Sequence, residues 1–474
     1  MRRLRVFLAS IGSRIPFQPW VSPPLGLLYL AGYLRTKFDL DIKVVNQRES
    51  NVSNEALVAQ AVAFDADVVG FGSLTSYAHA LGPLTRKVRE ELPEALILLG
   101  GPHVSALRAQ ALADTVADAV VVGEGELTAE QVIGARFGGG DFDQIPGLIW
   151  RSPEGAILTN PGETQVIEDL DSLPFPAYDL IDITKYWRLQ PMTMLPRIPY
   201  ITMFSSRGCP YHCSWCHKIF GKKFRAHSAE RMVDEIEYYV RTFGVKNIEF
   251  VDDIFNFDRE RVLAFSRLIC QRNIKVKISF PNAIRTDQLT EETVDALADA
   301  GTYFSSFALE SGSPRLQQLT GKHLNIARFL KGVELATARG IFAYGFAMLG
   351  FPTETEEELR QTIDVMCGSK LHGAAFFTVT PFPNTELYDA ALKSQPEKLA
   401  NISYNDMDYG HIRVNLADVP DAVLFAYQRK AIRRFYLSPR RIVRILRDYP
   451  EPYRLPYYVP VFLNRVTRGL FHSA

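Results

Sequence analysis

The chain has 474 residues, of which 47% are hydrophobic and 22% charged, with 53 Lys and Arg balanced by 53 Asp and Glu. That length exceeds one ordinary domain, and the composition excludes a disordered or fibrous chain while allowing a sizeable core. No run approaches the ~18 apolar residues of a membrane-spanning helix. Five cysteines, three of them clustered, suit metal binding in a reducing compartment rather than a disulfide framework, so the cytoplasm is the expected location.

The first residues place basic side chains before a short apolar run, without a convincing signal-peptide core or cleavage site, and read as a buried strand. Residues 4–135 then alternate apolar runs with helical spacing. The runs are Arg5–Ser10, Ile42–Asn46, Val68–Ser73, Leu96–Gly100 and Ala119–Val122; the helical stretches are Leu25–Arg35, Ser53–Phe64, Ala78–Leu92 and Ser105–Leu112. Such alternation predicts an open parallel sheet wound on both faces by helices, with ligands beyond the carboxyl ends of its strands. At those ends stand Ser73-Leu74-Thr75, Gly100-Gly101-Pro102-His103 and Val122-Gly123-Glu124-Gly125-Glu126. Glycines there admit a large planar ligand close to the backbone, and a hydroxyl can bond its edge. Taken alone, these turns would serve a nucleotide or a flavin equally well.

Gly138-Gly-Gly140 opens a stretch rich in Pro, Gly and Asp, read as a linker over 138–199 with a small β excursion at Gly147–Arg151 and Ala156–Thr159. From Tyr200 the alternation resumes with a longer period. Strands are expected at Ile201–Ser206, Asn247–Asp252, Lys275–Phe280, Tyr303–Glu310, Phe342–Leu349 and Ala375–Thr380. Helices are expected at Ser228–Phe243, Asp258–Arg272, Glu291–Ala300, Ile326–Arg339 and Thr355–Cys367. Six such units curl into an open parallel barrel, with its chemistry at the carboxyl ends of the strands.

The first of those ends carries Cys209, Cys213 and Cys216, spaced C-x3-C-x2-C, with Arg207-Gly208 leading in and Trp215 before the last thiol. Three thiolates are one short of a structural zinc site and one too many for a disulfide, whereas an iron–sulfur cube held at three corners keeps one iron free. Asp252 and Asp253 end the next strand, where they would either accept hydrogen bonds from a ligand or cap a helix.

The cysteine loop after a first barrel strand resembles the radical S-adenosylmethionine superfamily over residues 200–390. The resemblance implies that Cys209, Cys213 and Cys216 hold a 4Fe–4S cluster, with Trp215 shielding it, and that the fourth iron chelates S-adenosylmethionine. By the same resemblance, Glu310 and Ser311 of Leu309-Glu310-Ser311-Gly312-Ser313, and the backbone at Gly350 of Leu349-Gly350-Phe-Pro-Thr-Glu354, contact that cofactor. With Pro23–Ala31, the upstream Ser73, Leu74, Thr75, Gly100, Gly101, His103, Gly123 and Glu124 resemble the cobalamin-binding domain fused to such enzymes. The loop expected to carry a cobalt-ligating histidine reads Asn46-Gln-Arg-Glu-Ser-Asn51, which implies cobalamin bound without a histidine from this loop.

The fold expected is thus α/β: a Rossmann-like doubly wound sheet over 1–137, a linker over 138–199, an open (β/α)6 partial TIM barrel over 200–390, and a basic, largely helical extension over 391–474. The activity implied is transfer of a methyl group from methylcobalamin, through a 5′-deoxyadenosyl radical, to an unactivated carbon or a phosphinate phosphorus. The substrate is expected to be a small molecule, lipid or peptide. The alternatives are cyclisation, ring contraction or oxidation with the same cofactors, or a non-catalytic corrinoid-binding module. An electron donor such as flavodoxin or ferredoxin is implied, and no nucleic-acid module is seen. From Arg429 onward the chain has 11 Lys and Arg against 2 Asp and Glu. Its helical spacing reads as a covering helix with a solvated basic face, or as an interfacial helix on an anionic membrane, with Tyr457, Tyr458 and Phe462 following.

Overall fold

A computed structural model describes residues 3–14, 20–193, 198–400, 402–405, 414–451, 453 and 456. The chain forms two compact units. One comprises Met1–Pro191 with Lys218–Ala226 and Ser403–Met407; the other comprises Met192–His217, His227–Ile402 and Asp408–Ala474.

The first unit is built on five parallel strands: β1 (Leu4–Ser10), β2 (Leu40–Asn46), β3 (Val68–Gly72), β4 (Leu96–Gly100) and β5 (Ala119–Val120). Their order is β2-β1-β3-β4-β5, a doubly wound arrangement with its topological switch beside β1. Continuous apolar runs suit it because both faces are covered: Val6, Phe7, Leu8 and Ala9 are all at most 3% exposed. Gly70 lets the Leu8 side chain pack directly on β3, since a Cβ there would lie 2.7 Å from it.

The helix expected over Ala78–Leu92 divides into a 3-10 turn, Thr75–Ala80, and a helix, Leu81–Glu91. The one expected over Ser105–Leu112 becomes Pro102–Leu107 and Ala109–Ala113, broken at Arg108 with φ +55°. A helix that periodicity did not pick out, Glu126–Gly138, ends on Gly139 in the left-handed conformation, so Gly138-Gly-Gly140 stops a helix rather than opening a linker. The β excursion also has a different role. The hairpin β6 (Ile149–Arg151) and β7 (Ile157–Thr159) joins the sheet, with β6 antiparallel to β5. It gives the short β5 the neighbour that its free edge lacks, and the first unit therefore continues to Pro191.

The second unit holds six parallel strands in chain order: β8 (Tyr200–Met203), β11 (Asn247–Phe250), β12 (Lys277–Ile284), β13 (Thr302–Glu310), β14 (Phe342–Leu349) and β15 (Gly373–Thr378). Two-residue strands, β9 (Ser206–Arg207) and β10 (Arg225–Ala226), flank the cysteine loop along the chain. The helices between the barrel strands begin where short polar side chains take up free N–H groups: Ser228, Asp258, Thr290, Asn325 and Thr355 all accept from the third residue onward.

The extension is helical at Asp421–Tyr436 and Pro439–Asp448. The first helix docks on β15, where the Tyr436 hydroxyl bridges the N–H and carbonyl of Ala374. In the second, Arg441 is buried rather than solvated and donates to the carbonyls of Leu371 and Cys367. Tyr457, Tyr458 and Phe462 lie outside the described residues.

Candidate cofactor sites

The carboxyl edge of the first sheet is knitted by glycine. Gly101 has φ +89°, and a Cβ there would come within 2.9 Å of the Ser73 nitrogen. The strand ends interlock through Ser73 N–H to the Gly100 carbonyl (3.2 Å) and His103 N–H to the Ser73 carbonyl (3.2 Å). The Ser73 hydroxyl turns to the Leu74 carbonyl, whereas the Leu74 side chain is 45% exposed. His103 Nδ1 is buried without a hydrogen-bond partner, and burial lowers the ring's pKa, keeping it neutral. An exposed apolar side chain, a strand edge drawn tight by glycine and an orphaned imidazole nitrogen fit a large, flat, amide-rimmed ligand such as a corrin. Thr75 opens the 3-10 turn, and Gly123, with φ +72°, donates its N–H to the Ser105 hydroxyl. Glu124 has a different occupation: it is buried in an ion pair with Arg225, which also donates to the Ile167 carbonyl. In the loop after β2, Gln47 accepts from Gly12 N–H and donates to Asn54, and Asn46 donates to the Ser22 carbonyl. That loop is tied to the chain itself.

In the second unit Asp252 roots the approach to the cysteines. Its Oδ1 accepts the Ser205 N–H (2.8 Å) and the hydroxyls of Ser205 (2.9 Å) and Ser206 (2.6 Å). Burial raises its pKa against the nearby Arg261 cation, which holds the Ser205 carbonyl. Asp252 is therefore a structural hub. Asp253 lies 3.6 Å from His217, the residue after the third cysteine.

Cys209, Cys213 and Cys216 are thiols outside any disulfide, partly exposed. Cys216 N–H closes a turn on the Cys213 carbonyl at 3.1 Å. The loop is anchored by six neighbours. Ser214 N–H reaches the Thr320 carbonyl (2.9 Å), Leu387 N–H reaches the Ser214 carbonyl (2.9 Å), and Trp215 packs on Phe351 with ring centroids 5.3 Å apart. The Arg285 guanidinium stacks 3.8 Å from the Tyr211 ring centroid, while Gln288 donates to the Tyr211 hydroxyl. Gly321 packs so closely on the His212 carbonyl that a methyl group there would overlap it. Burial raises the Cys213 thiol pKa, and the Lys322 and Arg285 cations oppose the rise.

Among the described residues, no group of three or more His, Cys, Asp or Glu side chains could hold a metal ion as placed. A cube does not need such convergence, because each thiolate takes a separate corner. Three thiols on a braced loop fit that donor set.

Glu310 ends β13 with φ +63° and pairs with Lys322 at 3.3 Å. The unusual dihedral thus falls on Glu310. Gly312 serves close packing instead, since a Cβ there would meet the Gln361 carbonyl oxygen at 2.7 Å. Ser311 is buried and accepts the Ser313 N–H. Gly350 has φ +97°, and its N–H and that of Phe351 go to the Glu354 carboxyl, whose pKa burial raises to about 8. Arg285 and Lys322 were not anticipated; the one usable signal was the Thr320-Gly321-Lys322 turn that follows the Glu310 segment.

Residues 203–366 match the Radical SAM superfamily and residues 20–133 match the B12 binding domain. The chain belongs to the radical SAM superfamily, with a B12 binding domain ahead of the radical SAM domain. Its cofactors are a 4Fe–4S cluster, S-adenosylmethionine and cobalamin. It is 29% identical over 428 residues to an uncharacterized methyltransferase from Pyrococcus horikoshii, covering 89% of each chain. It is 26% identical over 420 residues to the cytidylyl-2-hydroxyethylphosphonate methyltransferase of Streptomyces wedmorensis, covering 78% of each. Its fold is similar to that of OxsB, a cobalamin-dependent S-adenosylmethionine radical enzyme solved with aqua-cobalamin and S-adenosylmethionine bound. The TM-score is 0.73 at 15% identity, over 98% of this chain and 75% of that one. Among the described residues no helix is long and apolar enough to cross a membrane.

Proposed function

We propose that this radical SAM enzyme is a methyltransferase acting on an unreactive carbon or a phosphinate phosphorus. The observation that carries the proposal is the braced trio of closely spaced thiols after β8 in a chain that also has a B12 binding domain. Cys209, Cys213 and Cys216 would each hold one corner of the cluster, and the edges contributed by Glu310, Ser311 and Gly350 would receive S-adenosylmethionine. Trp215, fixed on Phe351, would screen the cluster from water. Ser73, Leu74, Thr75, Gly100, Gly101, His103 and Gly123 would cradle the corrin, with Glu124 shaping that edge through Arg225. When bound, the cofactors supply the radical and the methyl group, while the protein supplies orientation and exclusion of water.

The test is anaerobic reconstitution with iron, sulfide and cobalamin, followed by S-adenosylmethionine and a low-potential reductant. Both 5′-deoxyadenosine and S-adenosylhomocysteine are expected. Deoxyadenosine alone would redirect the reading to cyclisation, ring contraction or oxidation, and neither product would sink it. The electron would come from a flavodoxin or ferredoxin. Membrane contact would use Leu437, Val443 and Leu446, 54%, 63% and 55% exposed, beside Arg440 and Arg447. Co-sedimentation with anionic but not neutral vesicles, lost in Val443→Glu/Leu446→Glu, checks it.

A further inference from the structure

Two cations rest on the aromatic rings that bracket Cys213 in the sequence. Arg285, the residue after β12, stacks its guanidinium 3.8 Å from the ring centroid of Tyr211, two residues before Cys213. Lys322, which follows the helix Pro314–Leu319, holds its ammonium 5.9 Å from the ring centroid of Trp215, two residues after Cys213. Both cations lie within electrostatic range of Cys213, as does Glu310. Backbone contacts fix the Lys322 turn on the same loop: the Thr320 carbonyl accepts the Ser214 N–H, and Gly321 packs on the His212 carbonyl.

The two cations differ in what answers them. Arg285 meets both oxygens of Asp287, through Nε at 2.9 Å and Nη2 at 3.3 Å. Its Nη2 also donates to the carbonyls of Lys322 (3.1 Å) and His323 (3.3 Å), which pins the turn that carries Lys322. Lys322 meets a single carboxylate oxygen, Glu310 Oε1, at 3.3 Å, and both side chains of that pair are only 13% exposed. With so little water around them, their charges are poorly screened. The pair is neutral while complete, and loss of either member leaves one uncompensated charge, of known sign, beside the thiols.

Reduction of an iron–sulfur cluster moves one electron from a low-potential donor, which is oxidised, and adds one negative charge at the thiolate ligands and iron, with no bond made or broken. A nearby cation favours the reduced form and a nearby carboxylate opposes it, so local charge is one of the levers on a cluster's reduction potential. We propose that the Lys322–Glu310 pair sets the reduction potential of the cluster held by Cys209, Cys213 and Cys216. The inference goes beyond methyl transfer: it needs the cluster, but neither cobalamin nor a substrate.

The experiment is a mediated redox titration of the reconstituted full-length holoenzyme at about pH 8, where carboxylates are ionised, without S-adenosylmethionine. It is followed by the low-temperature EPR signal of the reduced cluster. Lys322→Met leaves Glu310 unanswered and should make reduction about tenfold less favourable, a fall of about 59 mV for one electron. Glu310→Gln leaves the ammonium unanswered and should shift the potential upward by a similar amount. The double variant Lys322→Met/Glu310→Gln should return to within about twofold of the native equilibrium, as should Lys322→Arg. A purely structural role does not produce opposite shifts that cancel, because loop distortion does not follow the sign of the charge removed. Shifts in the same direction in the two single variants, or none in either, would overturn the proposal. If Lys322→Met does not retain its iron, Glu310→Gln decides alone: a raised potential upholds the proposal, and an unchanged or lowered one overturns it.

Discussion

Cys213 and Asp252 make opposite demands on the fold. No side-chain hydrogen bond of the described residues ends on the Cys213 thiol, which is partly exposed. Replacing it with Ala should therefore abolish the broad visible absorbance of a reconstituted cluster and deoxyadenosine formation, while the urea midpoint moves little. Asp252 is different, because three donors end on its Oδ1 and Arg261 lies beside it. Asp252→Ala should cost about 3 kcal/mol, read as a lowered urea midpoint at unchanged slope, since it leaves buried donors and a cation unmatched. The spacing of Cys209, Cys213 and Cys216 was legible because the ligands lie within one loop. The role of Asp252 was not, because its partners Ser205 and Ser206 are over 40 residues away along the chain. Ser311 shows the same limit from the other side. Its segment could be singled out from the sequence, but not the burial that turns its hydroxyl inward.

At the level of elements, the second unit followed from periodicity nearly strand by strand, since its helices carry both an apolar stripe and a capping side chain. The extension did not. An arginine in a basic helix reads as solvated, yet Arg441 is buried, stacks 3.4 Å from the Phe435 ring centroid, and satisfies carbonyls where the helix Glu356–Gly368 ends. Arg441→Ala should cost about 3 kcal/mol by leaving those carbonyls bare, measurable in the same urea titration. The junction is also sensitive to acid. His372 Nδ1 accepts the Ala343 N–H at 2.9 Å, and Nε2 faces Asp448 at 3.1 Å. Burial holds the folded pKa of His372 below its ordinary value, against the pull of Asp448. The unfolded chain therefore binds the proton more readily. The contribution is complete above about pH 6.5 and is lost as the pH falls through the folded pKa. The melting temperature should drop between about pH 7.5 and 5.5 by more in the native protein than in His372→Gln.

On the scale of the whole chain, the two cofactor edges belong to separate hydrogen-bonded sheets, one of seven strands and one of six. Each edge draws its glycine turns and anchoring contacts from its own unit. A triple variant with Cys209, Cys213 and Cys216 changed to Ala should accordingly lose the cluster and still bind cobalamin with an affinity within about threefold of the native protein, read by equilibrium dialysis. Loss of cobalamin binding in that variant would mean that the two edges are not independent.

What the sequence determined by itself was everything carried by local spacing: the three thiols, the glycine-ended strands and the βα alternation in both units. These depend on residues a few positions apart, where chain geometry leaves few choices. The tertiary structure alone decided how the 138–199 segment is used, the occupation of Glu124 and the hub at Asp252. Each of these depends on long-range partners and on burial, which sets whether a polar group is solvated, paired or left waiting for a ligand.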